Sequence, residues 1–168
     1  MPFLAYAGLI VTAALAEATV GYRLELVGGR LNLVLLMVVA WSLLRGIEEG
    51  ALAGVVGGLA LDLSSGTPLG LDTAILTLIG AVTSLGEHTL YRGSVAFFFG
   101  TAVLVTVCYH GALLLALQAL GWDIPSFTRL VQVLVPTILI NAVLMPIVFT
   151  LAQRLLRTLS GWRQLELE

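Results

Sequence analysis

The chain has 168 residues, of which 59% are hydrophobic and 11% charged, and its mean hydropathy is +1.04. A soluble domain of this size needs far more charge to cover its surface, so the composition excludes one and predicts an all-α integral membrane protein. The eight basic residues are all arginines, set against ten carboxylates for a net charge of −2, and they form no basic run of the kind that binds nucleic acid. A spanning helix needs about 20 apolar residues, so the length accommodates about six spans in one polytopic domain, residues 1–168.

The first two predicted spans cover residues 3–22 and 31–45. The chain lacks the positively charged start of a cleavable signal peptide, so the first span is expected to be retained. Glu17, near its far end, is expected to pair with Arg23 or Arg30, to face a cavity or to snorkel. The second span holds only about 14 residues between two arginines, which make about 21 Å of helix. It crosses fully if both arginines snorkel, and a partial span is the alternative.

The third predicted span, residues 46–63, carries a stripe of glycines. Steps of four residues drift slowly around a helix, so residues with this spacing share one narrow face, and glycine lets another helix approach closely. The stripe indicates packing against another span of this chain, and contact with a partner's transmembrane helix is the alternative. Its members are Gly46, Gly50, Gly54 and Gly58, and Asp62 and Gly66 continue the same register.

A sharp turn at residues 64–68 separates the third span from the fourth, which is predicted over residues 68–86. Gly66 suits the position just after a helix end, and Thr67 suits an N-cap. Pro68 suits the first helical position, where its missing N–H costs nothing.

Two aspartates, Asp62 and Asp72, lie close to this turn. Asp62 is expected to accept hydrogen bonds from the turn or from the first amides of the fourth span, and Asp72 to gain from the positive end of that helix. Paired aspartates on adjacent spans also suit acid–base hydrolysis, as in the intramembrane aspartyl proteases. Those enzymes carry a Gly-x-Gly-Asp signature, whereas Asp72 follows Leu69, Gly70 and Leu71. A structural role for the pair is therefore predicted.

The fifth predicted span covers residues 94–120 and ends at a turn with Trp122 at the expected membrane interface. Cys108 lies in an apolar run and is expected to be a small buried hydrophobe. His110 is expected to be a hydrogen-bonded packing residue, because no second histidine or cysteine cluster indicates a metal site.

The sixth predicted span, residues 130–156, is long and interrupted by Pro136 and Pro146. Each proline frees a backbone carbonyl four residues earlier, and Asn141 can supply an amide donor nearby. The pattern predicts a kinked packing helix, with a flexible flank of a groove as the alternative.

Six spans place both chain termini on one side of the membrane. That side then holds five arginines and the other side three, which favours cytoplasmic termini by the positive-inside rule. A chain with five spans is the alternative. The first group is Arg45, Arg92, Arg154, Arg157 and Arg163, and the second is Arg23, Arg30 and Arg129.

The sequence contains no recognisable catalytic or cofactor-binding pattern. It has no phosphate-binding P-loop, no Gly-x-Ser-x-Gly nucleophile elbow and no dinucleotide fingerprint. We therefore expect no enzyme activity, no cofactor and no metal, and interpret the chain as a non-catalytic partner in a larger membrane assembly.

Three ordered segments resemble one protein family. Residues 54–70, GVVGGLALDLSSGTPLG, closely resemble the central motif of the bacterial rod shape-determining MreD family, roughly G-x-x-x-G-x-x-x-D-x-x-S-G-x-x-x-G across two spans. Residues 30–36 resemble the start of that family's second span, with Leu31 where proline is common. Residues 141–146, from Asn141 to Pro146, resemble its last span. The resemblance covers nearly the whole chain and includes the span order.

The resemblance implies a role in the elongation complex that builds side-wall peptidoglycan in rod-shaped bacteria. The implied direct partner is the shape protein MreC, alongside MreB, a SEDS glycosyltransferase and a class B penicillin-binding protein. It also implies a multi-pass location in the bacterial inner membrane, in contact with lipid, and a homodimer is a further candidate assembly. The implied fold is similar to the six-helix substrate-binding subunits of energy-coupling-factor transporters. A vitamin-binding subunit of that type is the alternative function, supported only by the small-residue pair Ala14 and Ala18.

Overall fold

Six α-helices account for nearly all of the residues that the structure, a computed structural model, describes. The predicted all-α class is confirmed for that part of the chain. The described residues are 2–24, 29–66, 68–85, 95–123 and 126–161. The helices are α1 (Pro2–Leu24), α2 (Leu33–Arg45), α3 (Ile47–Ser65), α4 (Leu71–Leu85), α5 (Val95–Ala119) and α6 (Phe127–Gly161).

The short helix α2 lies in the centre of the bundle, in contact with α1, α3, α4 and α6. Its side chains are buried from Val34 to Leu43 except at Met37, so it has almost no surface of its own. Tyr6 of α1 stacks on Trp41 with ring centroids 4.0 Å apart and donates a hydrogen bond to the Met37 carbonyl at 2.8 Å. Such burial explains why α2 is apolar on every side: a helix with no exposed face needs no polar stripe.

Two antiparallel hairpins form much of the rest of the bundle. Helices α3 and α4 make the most extensive contact of the described structure, and α5 packs on α6. The register of the second hairpin follows from two pairs, Phe98 against Phe149 and Thr106 against Asn141. The residue numbers of both pairs have the same sum, so α5 and α6 keep one constant antiparallel register between these two contacts.

Within the described residues, two helices are long and apolar enough to cross a membrane. These are Ala96–Ala119 of α5 and Phe127–Thr158 of α6. Three shorter apolar helices lie in the same bundle, at Phe3–Thr19, Leu33–Arg45 and Leu71–Leu85. Large apolar side chains remain exposed along the outer faces, among them Leu78, Leu104 and Leu139, as expected where lipid is the solvent.

The structure corrects the prediction for Pro68. Pro68 lies in the turn before α4, and the helix begins only at Leu71, whose N–H donates to the Pro68 carbonyl. Gly70, with φ of 93°, lies between them in a conformation that cannot continue a helix back to Pro68. Gly66 does end α3, in the left-handed conformation with φ of 70°, whereas Thr67 lies outside the described residues.

Cys108 is exposed rather than buried, so that prediction was wrong. It lies on the outer side of α5, whereas its neighbour Tyr109 faces the bundle. An apolar run cannot distinguish the two sides of such a helix, because lipid is as apolar as a protein core.

Candidate functional site

The glycine stripe of α3 packs directly against the backbone of α4. A methyl group added at Gly54 would overlap the Leu76 carbonyl, and one added at Gly58 would overlap the Thr73 Cα atom. Neither position can accept a side chain without separating the helices, because the obstructing atoms belong to backbone. Gly50, Gly54 and Gly58 of the stripe therefore make contact within this chain, between the two arms of one hairpin. Gly46, predicted as the first member of the stripe, lies before α3 with φ of 85°.

At the other end of this hairpin, Gly50 meets a second glycine that sequence reading missed. A Cβ atom on Gly80 would overlap the Gly50 carbonyl, and one on Gly50 would lie 2.8 Å from the Gly80 carbonyl. Ser42 of α2 donates a hydrogen bond to that same Gly80 carbonyl. Gly80 lies four residues after Leu76, the residue that faces Gly54, and this shared spacing is the signal that could have revealed it.

Asp62 caps the amino end of α4 from the last turns of α3. Its Oδ1 accepts a hydrogen bond from the Asp72 amide at 2.9 Å, and its Oδ2 accepts from the amides of Gly70 at 2.9 Å and Thr73 at 3.2 Å. The Thr73 hydroxyl donates to Oδ2 at 2.5 Å. The side chain is only 3% exposed, so four donors compensate the cost of burying a carboxylate. The three amides belong to the residue before α4 and to the first turn of α4, and the first amides of the fourth span were one of the two sets that the sequence suggested.

Asp72 reaches a different helix. The Tyr109 hydroxyl of α5 donates to its Oδ1 at 2.8 Å, and both residues are buried. Tyr109 lies 37 residues from Asp72 in the sequence, and no local pattern indicates that the two residues are in contact. Asp62 and Asp72 are thus joined through the Asp72 amide. The Asp62 carboxylate accepts hydrogen bonds at the start of α4, and the Asp72 carboxylate accepts one from α5.

Glu17 of α1 accepts a hydrogen bond from the Val34 amide, at 3.1 Å from its Oε2 atom. Val34 is the second residue of α2, and Asn32, at the N-cap position, makes no side-chain capping bond. A carboxylate from another helix therefore satisfies a donor that the local sequence leaves open. None of the roles predicted for Glu17 included this partner.

Asn141 of α6 connects two other helices. Its Oδ1 accepts from the Asn32 amide at 3.3 Å, and its Nδ2 donates to the Thr106 hydroxyl at 3.2 Å. It is fully buried. The predicted role of donating near a proline-freed carbonyl is therefore replaced by a bond to α5.

His110 completes this group of contacts. Its Nδ1 donates to the Thr106 carbonyl at 2.9 Å, so its Nε2 is the acceptor for the Asn32 side-chain amide at 3.5 Å. The Thr137 hydroxyl of α6 accepts from the Arg30 amide at 2.9 Å. His110 is thus a hydrogen-bonded packing residue, as expected for a lone histidine within a span.

These contacts lie at one level of the bundle, which we call the polar layer. It joins all six described helices at the end of the bundle away from the chain termini. Among the described residues, no buried side-chain nitrogen or oxygen lacks a hydrogen-bond partner. The polar layer consists of Glu17, Asn32, Asp62, Asp72, Thr106, Tyr109, His110, Thr137 and Asn141.

The two prolines of the last helix lie inside α6, which continues through both. Thr137 donates its hydroxyl to the Val133 carbonyl and Thr150 donates to the Pro146 carbonyl, so side chains supplement the backbone bonds near each proline. Pro146 is half-buried and lies in the same helix as Asn141, five residues further on.

The side chains of the polar layer form hydrogen bonds between helices. No group of three His, Cys, Asp or Glu side chains in the described ranges is placed to hold a metal ion. The carboxylates of Glu17 and Asp62 accept backbone amides, and that of Asp72 accepts a phenol. Glu17 and Asp62 thus bind helix starts, and Asp72 joins α4 to α5.

Comparison with known proteins adds one decisive observation. The family described as rod shape-determining protein MreD matches residues 1–159 of the chain. The chain belongs to the MreD family. The resemblance predicted from the glycine–aspartate motif is therefore confirmed, and it assigns the chain to rod shape determination. No match was found among curated proteins or among solved structures.

Membership of the MreD family fits the helices described above. The family consists of shape-determining proteins rather than known enzymes, and the long apolar helices α5 and α6 agree with a membrane protein. The motif that carried the resemblance, residues 54–70, covers the second half of α3 and the segment that leads into α4. Its glycines and Asp62 are the residues that close the α3–α4 hairpin.

Proposed function

We propose that the chain is a non-catalytic scaffold of the rod elongation complex, which binds and positions MreC and so supports side-wall peptidoglycan synthesis. The observation that carries the proposal is the polar layer. Its side chains are engaged with helix ends and with one another, so they build a rigid bundle instead of a reaction centre. The outer helix faces then remain available for lipid and for partner helices.

Six membrane spans, with both termini in the cytoplasm of a bacterial inner membrane, complete the proposal. Two exposed arginines, Arg45 and Arg154, lie at the end of the bundle that holds the termini, whereas Arg30 and Arg129 lie toward the other end. Arg45 makes a bidentate pair with Glu49, with contacts of 2.9 and 2.5 Å, at the junction of α2 and α3. A charged pair at this junction supports an interfacial location there.

The test is site-specific photo-crosslinking in native membranes. A photoreactive residue would replace single exposed side chains on three outer faces, at Leu9 of α1, Leu78 of α4 and Leu139 of α6. One face should yield an MreC adduct, and MreC should co-purify in mild detergent. Failure of MreC to co-purify, together with the absence of an adduct from all three faces, would contradict direct binding.

The resemblance to energy-coupling-factor substrate subunits stays a prediction. The only support for it in the sequence was the small-residue pair Ala14 and Ala18. These two residues do not share one contact face, because Ala14 is fully buried and Ala18 is exposed. A carrier should be stabilised against heat by one member of a vitamin panel, whereas a scaffold should respond to none. Chemical crosslinking of the purified protein would separately test a homodimer.

A further inference from the structure

The α5–α6 hairpin is bonded to the rest of the bundle along only part of its length. On α5, the last side chains that form hydrogen bonds to other parts of the bundle are those of Tyr109 and His110. On α6, the first is that of Thr137, and Asn141 follows. Among the described residues between these anchors, 111–123 and 126–136, no side chain forms a hydrogen bond to any other part of the bundle.

The same stretch of the hairpin contains no buried side chain. Every described residue in 111–123 and 126–136 is exposed or half-buried. The anchoring residues just outside it, Thr106 and Tyr109 on α5 and Thr137 and Asn141 on α6, are all buried. The boundary in burial therefore coincides with the boundary in hydrogen bonding. We call residues 111–123 and 126–136 the distal arm. A segment with few buried contacts and no bonds to its surroundings moves at a low cost in free energy.

Two helix-weakening residues lie where the distal arm joins the bundle. Gly111 is the first residue of the arm on α5, and Pro136 is the last on α6. The register set by Thr106 against Asn141 places them level with each other, because their residue numbers have the same sum as that pair. Proline removes a backbone hydrogen bond from a helix, and glycine lowers helix stability more than any residue except proline. Both helices are therefore weakened at one level.

Gly111 is not required for close packing within the described structure. A methyl group added there would meet nothing within 4 Å, whereas one added at Gly54 or Gly58 would overlap the backbone of α4. Close approach of a neighbouring helix explains those two glycines but not Gly111. The glycine weakens α5 without gaining a contact in return.

Pro136 is held on the bundle side and weakened on the arm side. A Cβ atom on Gly29 would lie 3.1 Å from the Pro136 carbonyl carbon, so the proline packs closely on the segment before α2. Thr137 donates its hydroxyl to the Val133 carbonyl, a side-chain bond of the kind that often bends helices. Bending is therefore directed into the residues that precede the proline.

We propose that the distal arm moves as one unit about a hinge formed by Gly111 and Pro136, while the rest of the bundle stays fixed. Hinges are formed by a few residues that absorb changes in backbone angles, and small residues are common among them. Each helix continues for about 15 Å beyond the hinge, so a bend of about 20° displaces the tip by about 5 Å. Because the two hinge points are level, both helices can bend together without sliding past each other.

The test measures distances between pairs of spin labels by double electron–electron resonance on the full chain in lipid nanodiscs. All proteins carry Cys108→Ala and one label at Leu59→Cys on α3, which packs on α1, α2 and α4. The arm pair adds Phe127→Cys at the tip of the arm, and the core pair adds Val143→Cys on the same helix beyond the hinge. The three labelled side chains are 48%, 80% and 57% exposed, so the labels leave the core intact.

We expect the arm pair to give a distance distribution about 5 Å wider than that of the core pair. Gly111→Ala combined with Pro136→Ala should remove at least about half of this additional width, because alanine restores a regular helix at both points. Gly100→Ala is the matched control. Gly100 also lies in α5 and also meets nothing within 4 Å, but it lies between the buried residues Phe98 and Ala102. Its substitution should change neither distribution.

Three results would contradict the proposal. Equal widths for the arm pair and the core pair, with Gly111 and Pro136 in place, would show that the arm is rigid. An arm distribution that stays wide after both substitutions would place the motion outside the hinge. Equal narrowing by Gly100→Ala would show that the position of the glycine does not matter. Gly111→Ala alone should narrow the arm distribution in part, and it tests the hinge without disturbing the contact of Pro136 with Gly29.

Discussion

Two carboxylates in this protein, those of Asp62 and Glu17, bind to helix ends. Asp62 receives three backbone amides and one hydroxyl, and Glu17 receives the Val34 amide from another helix. The first amides of a helix lack partners within it and carry the positive end of its dipole, so a carboxylate there gains hydrogen bonds and charge attraction together. In a medium without water, these two terms decide whether a carboxylate can be buried at all.

Replacing Asp62 should destabilise the protein in a graded way. Asp62→Asn keeps one acceptor oxygen and should cost about 1–2 kcal/mol, the usual range for a weakened helix cap. Asp62→Ala leaves buried amides without an acceptor, each at about 1–3 kcal/mol, and should cost more. Thermal unfolding in detergent, followed by size-exclusion chromatography, measures the order.

Asp123→Asn is the matched control, since Asp123 is exposed and should tolerate the change. Equal stability of wild type and Asp62→Ala would show that the cap contributes nothing.

At the scale of the elements, the α3–α4 hairpin depends on backbone contact. Gly54 and Gly58 face the backbone of α4, and Gly80 faces that of α3. In a membrane, close packing rather than the hydrophobic effect holds helices together, so small residues at the contact matter more than apolar ones. Gly57, one residue from the stripe, faces Val34 and Ile10 and admits α2 and α1 on the adjacent side.

Two glycine-to-alanine changes should have opposite effects. Gly58→Ala forces a methyl group against the Thr73 backbone and should destabilise by about 1–3 kcal/mol, the usual cost of overpacking. Gly8→Ala, in α1, meets nothing within 4 Å and should be neutral or stabilising by up to about 1 kcal/mol, because alanine favours helix. Thermal unfolding of both variants measures the difference. A Gly58→Ala protein at least as stable as Gly8→Ala would show that the hairpin relaxes freely.

At the scale of the whole molecule, the polar layer joins helices that are far apart in the chain. Asn32 meets Asn141 across 109 residues, and Tyr109 meets Asp72 across 37. Because these helices share several bonds, moving one helix would break more than one bond at once. The bundle is therefore expected to present partner surfaces in a fixed geometry, as a scaffold requires.

Reporter fusions test the proposed topology of the whole chain. A fluorescent protein at the C-terminus should fluoresce, and alkaline phosphatase fused after Asp123 should be active, because the two positions lie on opposite sides of the membrane if six spans cross. The positive-inside rule predicts this orientation from the arginine distribution. A five-span chain would place the two termini on opposite sides, which a fluorescent protein at each end would reveal.

Much of the architecture could be predicted from local pattern. The described residues of the six predicted apolar runs are largely helical, because apolar runs separated by charge and glycine mark helix bounds well. That each run crosses a membrane stays a prediction. The start of α4 was placed three residues too early, since Pro68 is a common first helical residue and the competing bond from Gly70 to Asp62 is not local. Cys108 was misplaced because apolar sequence does not separate a core face from a lipid face.

The sequence by itself determined the helical membrane class, the α3–α4 motif and the family, since composition and short spacings carry that information. Only the tertiary structure decided that the glycine stripe faces α4, that Glu17 caps α2 and that Asn141 joins α5 to the start of α2. The physical reason is that these contacts join residues that lie far apart in the sequence. A glycine stripe or a buried carboxylate requires a close partner, but which helix supplies that partner depends on packing across the whole bundle.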